Sequence, residues 1–550
     1  MTTSVTASSP SGRRLGGWGF EGRSFPPSPG LLAWLEKHLG ETQPFPSFDH
    51  TRLATPKGRS LPNLPFETSA EPLDLLAHAR GQGLTDLLRL RSGAVPAVPD
   101  GVARPSDSRE VVAMLEGCAA AGIRVIPWGG GTSVTGGVNV VPGDRAIVTL
   151  DLERLTGLEG LDPKSGLATF GAGTTGPALE GALGEHGLTL GHFPQSWELS
   201  TLGGWIATRA SGQESLGYGG IGDLVAGLDL IAPAGRLDLP PLPASAAGPD
   251  LRQLILGSEG RLGVVTSATV RVRPQPERLE VEAAILPSWE AGIEAARRLT
   301  QERVPLSLLR LSDETETEVA MTVGLAGHPW MAPLVRRWLE LRGIKGGGCL
   351  MLLGSAGSSS ESRITHRRAR ALLRTLGAVS LGSKPGRQWL ADRFRHPYLR
   401  DGLLDRGIAT DTLETAAPWT ALPAVYRATR RALESAMAGY DESTAVLCHL
   451  SHPYPDGASL YFTFFFRCPA DVDLAIERWA TLKRAATSAI VGAGATLSHH
   501  HGVGSWHAPW LADEIGGGGV RLLEAAADAF DPQGVLNPTV LLDPTDRLET

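Results

Sequence analysis

Ile126-Pro127-Trp128-Gly129-Gly130-Gly131-Thr132-Ser133-Val134-Thr135-Gly136-Gly137 is the stretch from which the rest of the chain is read. It follows the apolar alternation Ile123-Arg124-Val125-Ile126, so the glycines leave the end of an expected strand and let the main chain turn tightly against a ligand. Amides presented in this way, backed by the Thr132 and Ser133 hydroxyls, suit a pyrophosphate. A P-loop needs Gly-Lys-Ser/Thr after the fourth intervening residue; Gly131 is followed at that spacing by Gly136-Gly137, so ATP hydrolysis is not expected. A Rossmann fingerprint would open a helix at once, whereas Val138-Asn139-Val140-Val141 reads as extended. Alone, such a turn also serves as a ligand-free connection, and other segments must decide.

At 550 residues the chain is too long for one core and predicts two or three domains. Its 51 basic and 58 acidic side chains leave a net charge of −7, which gives no general attraction to nucleic acid. Cys118, Cys349, Cys448 and Cys468 form no Cys-x-x-Cys pair, so neither structural zinc nor a disulfide framework is indicated and a reducing, cytoplasmic setting is expected. Met1 to Ser11 lacks the apolar core of a secretory signal, and no run approaches a transmembrane length.

Residues 1–90 read as an irregular extension with one helix around Leu31-Leu32-Ala33-Trp34-Leu35. Ser106-Asp107-Ser108 opens a helix in which Val112, Leu115 and Ala119 recur at helical spacing. Strands are expected at 146–150 and 167–170, a helix at 177–185, a strand at 188–190 and a hairpin turned by Ala234-Gly235, followed by a Pro/Ala-rich insert at 238–249. The order argues for an α+β domain over 91–274. Beyond it, a strand at 281–285, a helix at 289–301 and a strand at 306–311 form one βαβ-like unit, and a strand at 350–353 with a helix at 362–376 forms another. These belong to a second domain, 275–495, with 496–550 as a returning tail.

The glycine loop, the segment Pro194-Gln195-Ser196-Trp197-Glu198-Leu199-Ser200 continuing to Gly212, and Gly257-Ser258-Glu259-Gly260-Arg261-Leu262-Gly263 occur in that order in flavoproteins of the vanillyl-alcohol oxidase type, which the chain resembles. The resemblance implies an α+β fold with a vanillyl-alcohol oxidase type FAD-binding domain and an α+β cap domain over the flavin. It implies cofactor contacts from Pro127, Trp128, Gly129, Gly130, Gly131, Thr132 and Ser133, then from Pro194, Gln195, Ser196, Trp197, Glu198, Leu199 and Ser200. Further contacts are implied from Ala207, Thr208, Arg209 and Ala210, and from Glu259, Gly260, Arg261, Leu262, Gly263, Val264 and Val265.

Ser498-His499-His500-His501-Gly502-Val503-Gly504 is the most unusual cluster. Adjacent histidines do not share the spacing of helical metal pairs, so no metal is expected; imidazoles in a loop suit proton transfer near neutral pH. With Pro397-Tyr398-Leu399-Arg400-Asp401, Asp411-Thr412-Leu413-Glu414-Thr415 and Gly457-Ala458-Ser459-Leu460-Tyr461-Phe462, this run resembles the alkyldihydroxyacetonephosphate synthase family over residues 80–540. That resemblance implies exchange of the acyl group of acyl-dihydroxyacetone phosphate for a fatty alcohol through a covalent adduct at flavin N5. Arg400 would hold the substrate phosphate, Arg310 would lie near the flavin, Tyr461 would act as acid and base, and His499, His500 and His501 would manage the carbon-bound proton. An ion pair of Arg400 with Asp401 and a core role for Tyr461 are the plain rivals.

Three features depart from the family pattern. Arg261 replaces a small hydroxyl residue, Gly81-Gln82-Gly83 stands where the lipid synthases carry histidines, and the ending Arg547-Leu548-Glu549-Thr550 is no peroxisomal address. The alternatives are an FAD-dependent dehydrogenase of D-2-hydroxy acids such as lactate or glycolate, and a flavin-binding protein without turnover. A small-molecule or lipid substrate and a homodimer are expected. A basic, Trp-bearing helix around Trp330 to Leu339, with Arg336, Arg337, Arg342 and Lys345, suits either peripheral membrane contact or packing on the cap.

Overall fold

The computed structural model describes residues 12–46, 58–543 and 545–548. Met1 to Ser11 and the final Glu549-Thr550, both weighed above for targeting signals, lie outside the described residues. Among the described residues no helix is long and apolar enough to cross a membrane.

The first ten strands, β1 (Gly101–Ala103), β2 (Arg124–Trp128), β3 (Ile147–Asp151), β4 (Leu158–Asp162), β5 (Leu167–Gly171), β6 (Leu188–Thr189), β7 (Val225–Ala232), β8 (Gly235–Leu239), β9 (Val264–Arg271) and β10 (Arg273–Pro274), build one module. A three-stranded parallel sheet in the order β1-β3-β2 and a five-stranded antiparallel sheet in the order β4-β5-β9-β7-β8 share one apolar core. The helix Ser108–Ala120 starts where Asp107 accepts hydrogen bonds from the amides of Arg109 and Glu110. Its buried stripe is Val111, Met114, Leu115 and Cys118, one position off the expected Val112 and Ala119, because Met114 and Cys118 fill the same face. Val138 to Val141 form no strand: Asn139 instead ties down the amide of Gly81 and the carboxylate of Asp86.

Strands β11 (Arg278–Leu286), β12 (Leu308–Ser312), β13 (Cys349–Gly357), β14 (Val379–Gly382), β15 (Ile408–Pro418), β16 (Ala445–Pro453) and β17 (Gly457–Arg467) form a seven-stranded sheet in the order β14-β11-β13-β12-β16-β17-β15. The two expected βαβ units are present but interlocked. β13 lies between β11 and β12, antiparallel to both, and β11 likewise separates β13 from β14. One sheet face carries Leu309, Leu311, Leu353, Phe462, Phe464 and Phe466, packed with the helices Trp289–Gln301, Ser359–Thr375, Leu422–Ala436 and Val472–Gly492. The alternate residues of β12, β15, β16 and β17 point the other way, and that face carries the site.

The extension before residue 90 contains two helices beyond the expected Pro29–Leu39: Pro72–Ala77 and Leu84–Ser92. They bury Asp74, Asp86 and Arg91, and charges on an inward face hide the periodicity from which a helix is read. The insert at 240–250 is exposed and without regular structure.

Candidate active site

The histidine loop follows the long helix Val472–Gly492 and is held at both ends by buried carboxylates. Glu414, on β15, accepts hydrogen bonds from the main-chain N–H of His499, from those of His500 (3.1 Å) and His501 (2.7 Å), and from the Ser498 hydroxyl (2.8 Å). Glu259, in the first module, accepts from the amides of Val503 (2.5 Å) and Gly504 (2.7 Å). Its backbone is left-handed (φ 51°), which aims the carboxylate into the loop. Each module thus grips one half of Ser498–Gly504. The loop also meets the glycine loop directly: the amides of Ser505 and Trp506 donate to Thr135 O, and a Cβ on Gly504 would lie 2.0 Å from that oxygen.

Strand pairing brings the candidate residues onto one face. Glu414 stands opposite Tyr461, and Tyr461 opposite His449. The Tyr461 ring is stacked with those of His449 (4.9 Å between centroids) and His500 (6.0 Å), and meets His501 edge-on at 5.7 Å. His449 Nδ1 lies 3.0 Å from an Arg310 guanidinium nitrogen and 3.1 Å from Glu316, which also accepts from Arg310 at 2.8 Å. Beside these groups is a partly open cavity. Arg310, His449, His452, Tyr461 and His500 line it from the sheet and histidine loop, Gln195, Ser211 and Gln213 from the first module, and Trp389, Arg393 and His396 from the segment between β14 and β15.

Burial pushes His499 and His500 down to about 3 and lowers His501 and His449, so the imidazoles are neutral at physiological pH. Burial also pushes the Tyr461 phenol up to about 12, which keeps it protonated. For Glu414, burial works against ionisation, but the main-chain N–H groups of His499, His500 and His501 and the Ser498 hydroxyl that donate to it outweigh this and hold the carboxyl below its ordinary range. A neutral base and a protonated acid therefore face one space.

The nitrogens of His452, His499 and His500 lie within 4.8 Å of one another, a spacing that could hold a metal ion. Protein groups already engage them. His452 Nε2 donates to Gly212 O while its Nδ1 faces the Ser451 hydroxyl at 2.8 Å, and His499 bonds to Tyr454 and His500.

Whether this chain fits an FAD can be asked of its own atoms. Among the described residues the amides of Gly130, Gly131, Thr132 and Ser133 meet no acceptor in the protein, which leaves a run of donors at a strand end, as a pyrophosphate requires. A Cβ on Gly130 would lie 2.1 Å from Leu199 O and one on Gly129 2.4 Å from the Thr201 hydroxyl, so the two cofactor segments meet through glycine. Arg400 Nε and Gln213 Oε1 are buried without a partner. The fit is good. Gly130→Ala is accordingly expected to lower FAD retention roughly tenfold, read as visible flavin absorbance per purified chain; full retention would contradict this placement.

Other residues from which cofactor contacts are expected have protein neighbours of their own. Glu198 accepts from Tyr398 (2.7 Å) and from Arg23, and Trp197 stacks on Phe394. Leu262, Val264 and Val265 turn into the module core, so only their main chain can meet a cofactor. Arg261 donates to Asp531 and Leu536 O and ties down the returning tail, which accounts for a long cation at that position. Arg400 does not line the cavity. It donates to Gln82 O, whose own amide donates to Ser133 O, while Asp401 pairs with Arg14 and Arg91 rather than with Arg400.

Comparison with known proteins decides among the flavoprotein readings. Residues 99–238 match the model of an FAD binding domain and residues 275–541 that of the FAD linked oxidases, C-terminal domain. The alkyldihydroxyacetonephosphate synthase of Trypanosoma brucei brucei is 32% identical over 86% of this chain and 78% of its own length, and that of Dictyostelium discoideum 30% identical over 88% and 80%. This chain belongs to the alkyldihydroxyacetonephosphate synthase family. A solved alkyldihydroxyacetonephosphate synthase superposes with a TM-score of 0.82 at 26% identity, covering 96% of this chain and 98% of that one. A D-lactate dehydrogenase of Archaeoglobus fulgidus is more distant, 27% identical over 80% of this chain and 90% of its own.

As a member of the alkyldihydroxyacetonephosphate synthase family the chain is an FAD enzyme of the vanillyl-alcohol oxidase type. Sequence reasoning missed Glu414 as the anchor of the histidines, and Glu316, His449 and Arg393 around the cavity. A carboxylate inside the apolar strand β15 was the one available signal. Gly81 and Gly83, the departure from the synthase pattern, have a packing reason: a Cβ would lie 2.5 Å from Ser133 O at the first and 2.2 Å from the Trp506 ring at the second.

Proposed function

We propose that this chain exchanges the acyl group of acyl-dihydroxyacetone phosphate for a fatty alcohol. The observation that carries the proposal is the pairing of neutral His500 with protonated Tyr461 across one cavity, in a chain related to synthases of that name. His500 takes the proton from the substrate carbon. Tyr461 protonates the departing carboxylate oxygen and receives the proton of the incoming alcohol. His501, edge-on to Tyr461, keeps that ring in place, and Arg310, fixed by Glu316, keeps positive charge beside the reacting carbon. FAD, when bound, supplies the electrophile that accepts the carbon's electron pair. Its pyrophosphate is assigned to the amides of Gly130 to Ser133. Arg400, which lies off the cavity lining and reaches the Ser133 loop through Gln82, is assigned to the substrate phosphate from its place in the family motif alone.

The apolar end of the cavity, Leu308 and Trp389, continues into the cluster of Val281, Ala283, Leu352 and Leu390, and the acyl or alkyl chain is assigned there. Incubation with labelled fatty alcohol is expected to yield ether-linked product and one free fatty acid per transfer. A hydroxy-acid dehydrogenase is the second reading, favoured by Arg310 and Arg393 on the cavity lining near His500, either of which could hold a carboxylate; lasting flavin bleaching by D-lactate or glycolate, without transfer, would establish it.

The same lipid chemistry favours a peripheral membrane contact. Leu339 is buried against the cap, but Trp330 (66% exposed), Leu334 (60%) and Leu341 (72%) face outward among Arg336, Arg337 and Arg342. Trp330→Ala with Leu334→Glu is expected to reduce co-sedimentation with anionic vesicles several-fold. A homodimer is proposed as well, and sedimentation equilibrium checks it.

A further inference from the structure

We propose that Tyr454, His499 and His500 form a proton relay joining the cavity to solvent, with Tyr454 as its outer end. The inference rests on the exchange reaction above and adds the route by which its proton travels. The Tyr454 hydroxyl lies 2.6 Å from His499 Nε2, and His499 Nδ1 lies 2.9 Å from His500 Nδ1. His500 lines the cavity, while Tyr454 is 39% exposed. Glu414 fixes the main chain of both histidines. Each link is thus at hydrogen-bond distance, and the series leads from cavity-lining His500 to the partly exposed Tyr454, whose hydroxyl also bonds Ser211.

Two imidazoles facing Nδ1 to Nδ1 share one proton, which couples their tautomers. When Tyr454 donates to His499 Nε2, His499 donates from Nδ1 and the second proton of the pair resides on His500 Nε2. In the opposite polarity His500 donates from Nδ1, and His499 Nε2–H donates to the Tyr454 oxygen. His500 Nε2 then has a free lone pair. This second form can take a proton from carbon.

Uptake at His500 Nε2 sends the Nδ1 proton to His499 Nδ1 and the His499 Nε2 proton to the Tyr454 oxygen, whose own proton passes to water. One C–H bond breaks, one proton leaves to solvent, and both rings end neutral. When the carbon is reprotonated at the end of the exchange, the sequence runs backwards with a proton drawn from water. Charging either buried ring is avoided, which the depressed basicity of both makes necessary. His452 packs beside the pair at 4.9 and 5.4 Å between centroids but stands outside the relay, since its Nε2 is committed to Gly212 O.

The test runs wild-type and Tyr454→Phe holoenzyme in D₂O with acyl-dihydroxyacetone phosphate and fatty alcohol, following transfer rate and the deuterium fixed at the reacting carbon per turnover. Wild type is expected to fix close to one deuterium per turnover. Tyr454→Phe is expected to lose about 10- to 100-fold in kcat with KM within about twofold, and to retain substrate protium, because a proton that cannot escape returns to carbon. His499→Gln, which can hydrogen-bond but cannot pass a proton between two ring nitrogens, should give the same isotope pattern. A merely structural role would change the rate without changing the isotope ratio, and Tyr454→Phe with wild-type rate and wild-type deuterium content would overturn the relay alone. Wild type without transfer would remove the exchange reaction and the relay together.

Discussion

Replacing Glu414 with alanine is expected to abolish alcohol transfer, by at least about 10³-fold, and to lower stability by about 3–5 kcal/mol, the usual cost of dismantling a buried charged network. The carboxylate meets three main-chain N–H groups and one hydroxyl in a site that is 3% exposed, and alanine leaves all four donors without an acceptor. FAD content should fall much less, because the glycine loop has its own contacts. Glutamine should be nearly as damaging, since its amide nitrogen would face donors. Thermal unfolding, flavin content and transfer rate measured on the same preparations separate these effects.

The same group sets an acid limit. Its folded pKa lies below that of the unfolded chain, so its contribution to stability is fully present above the ordinary glutamate range and is lost as the pH falls below it. Wild type should therefore lose thermal stability on acidification more steeply than the Glu414 variant; equal slopes would argue against the anchor.

His500→Ala and Tyr461→Phe should each lower kcat by roughly 10²- to 10⁴-fold, the range for removal of a general acid or base, while leaving FAD content and unfolding temperature close to wild type. In wild type, burial keeps His500 basic in form until the pH approaches about 3, and keeps Tyr461 protonated until about 12. The expected profile of kcat/KM against pH is flat through neutrality, with no inflection at the ordinary histidine value near 6.5. An acidic limb centred there, in protein that is still folded, would show that the base is a solvated histidine.

The cofactor module was legible because its signals are local. A glycine run after an apolar alternation constrains the backbone within a dozen residues, and Gly130 is required there by the neighbouring Leu199 carbonyl. The histidine run was equally visible. What sequence did not reveal depends on pairing between distant strands: Glu414, Tyr461 and His449 become one row only when β17 settles between β15 and β16. Arg393 reaches the cavity through an ion pair with buried Glu214 across 179 residues, and no local pattern announces such a contact. The helices Pro72–Ala77 and Leu84–Ser92 escaped for a related reason, since their inward faces carry charges neutralised by partners far along the chain, such as Arg104 for Asp74.

The central claim is that the flavin ends each cycle in the oxidation state in which it began, while the residues around Tyr461 and His500 exchange acid for alcohol. The direct measurement is anaerobic mixing of oxidised holoenzyme with acyl-dihydroxyacetone phosphate and a fatty alcohol, with the visible flavin spectrum and released fatty acid followed together. The account predicts many equivalents of fatty acid per flavin and a final spectrum equal to the starting one. A flavin left bleached after a single equivalent, with no ether product, would contradict it.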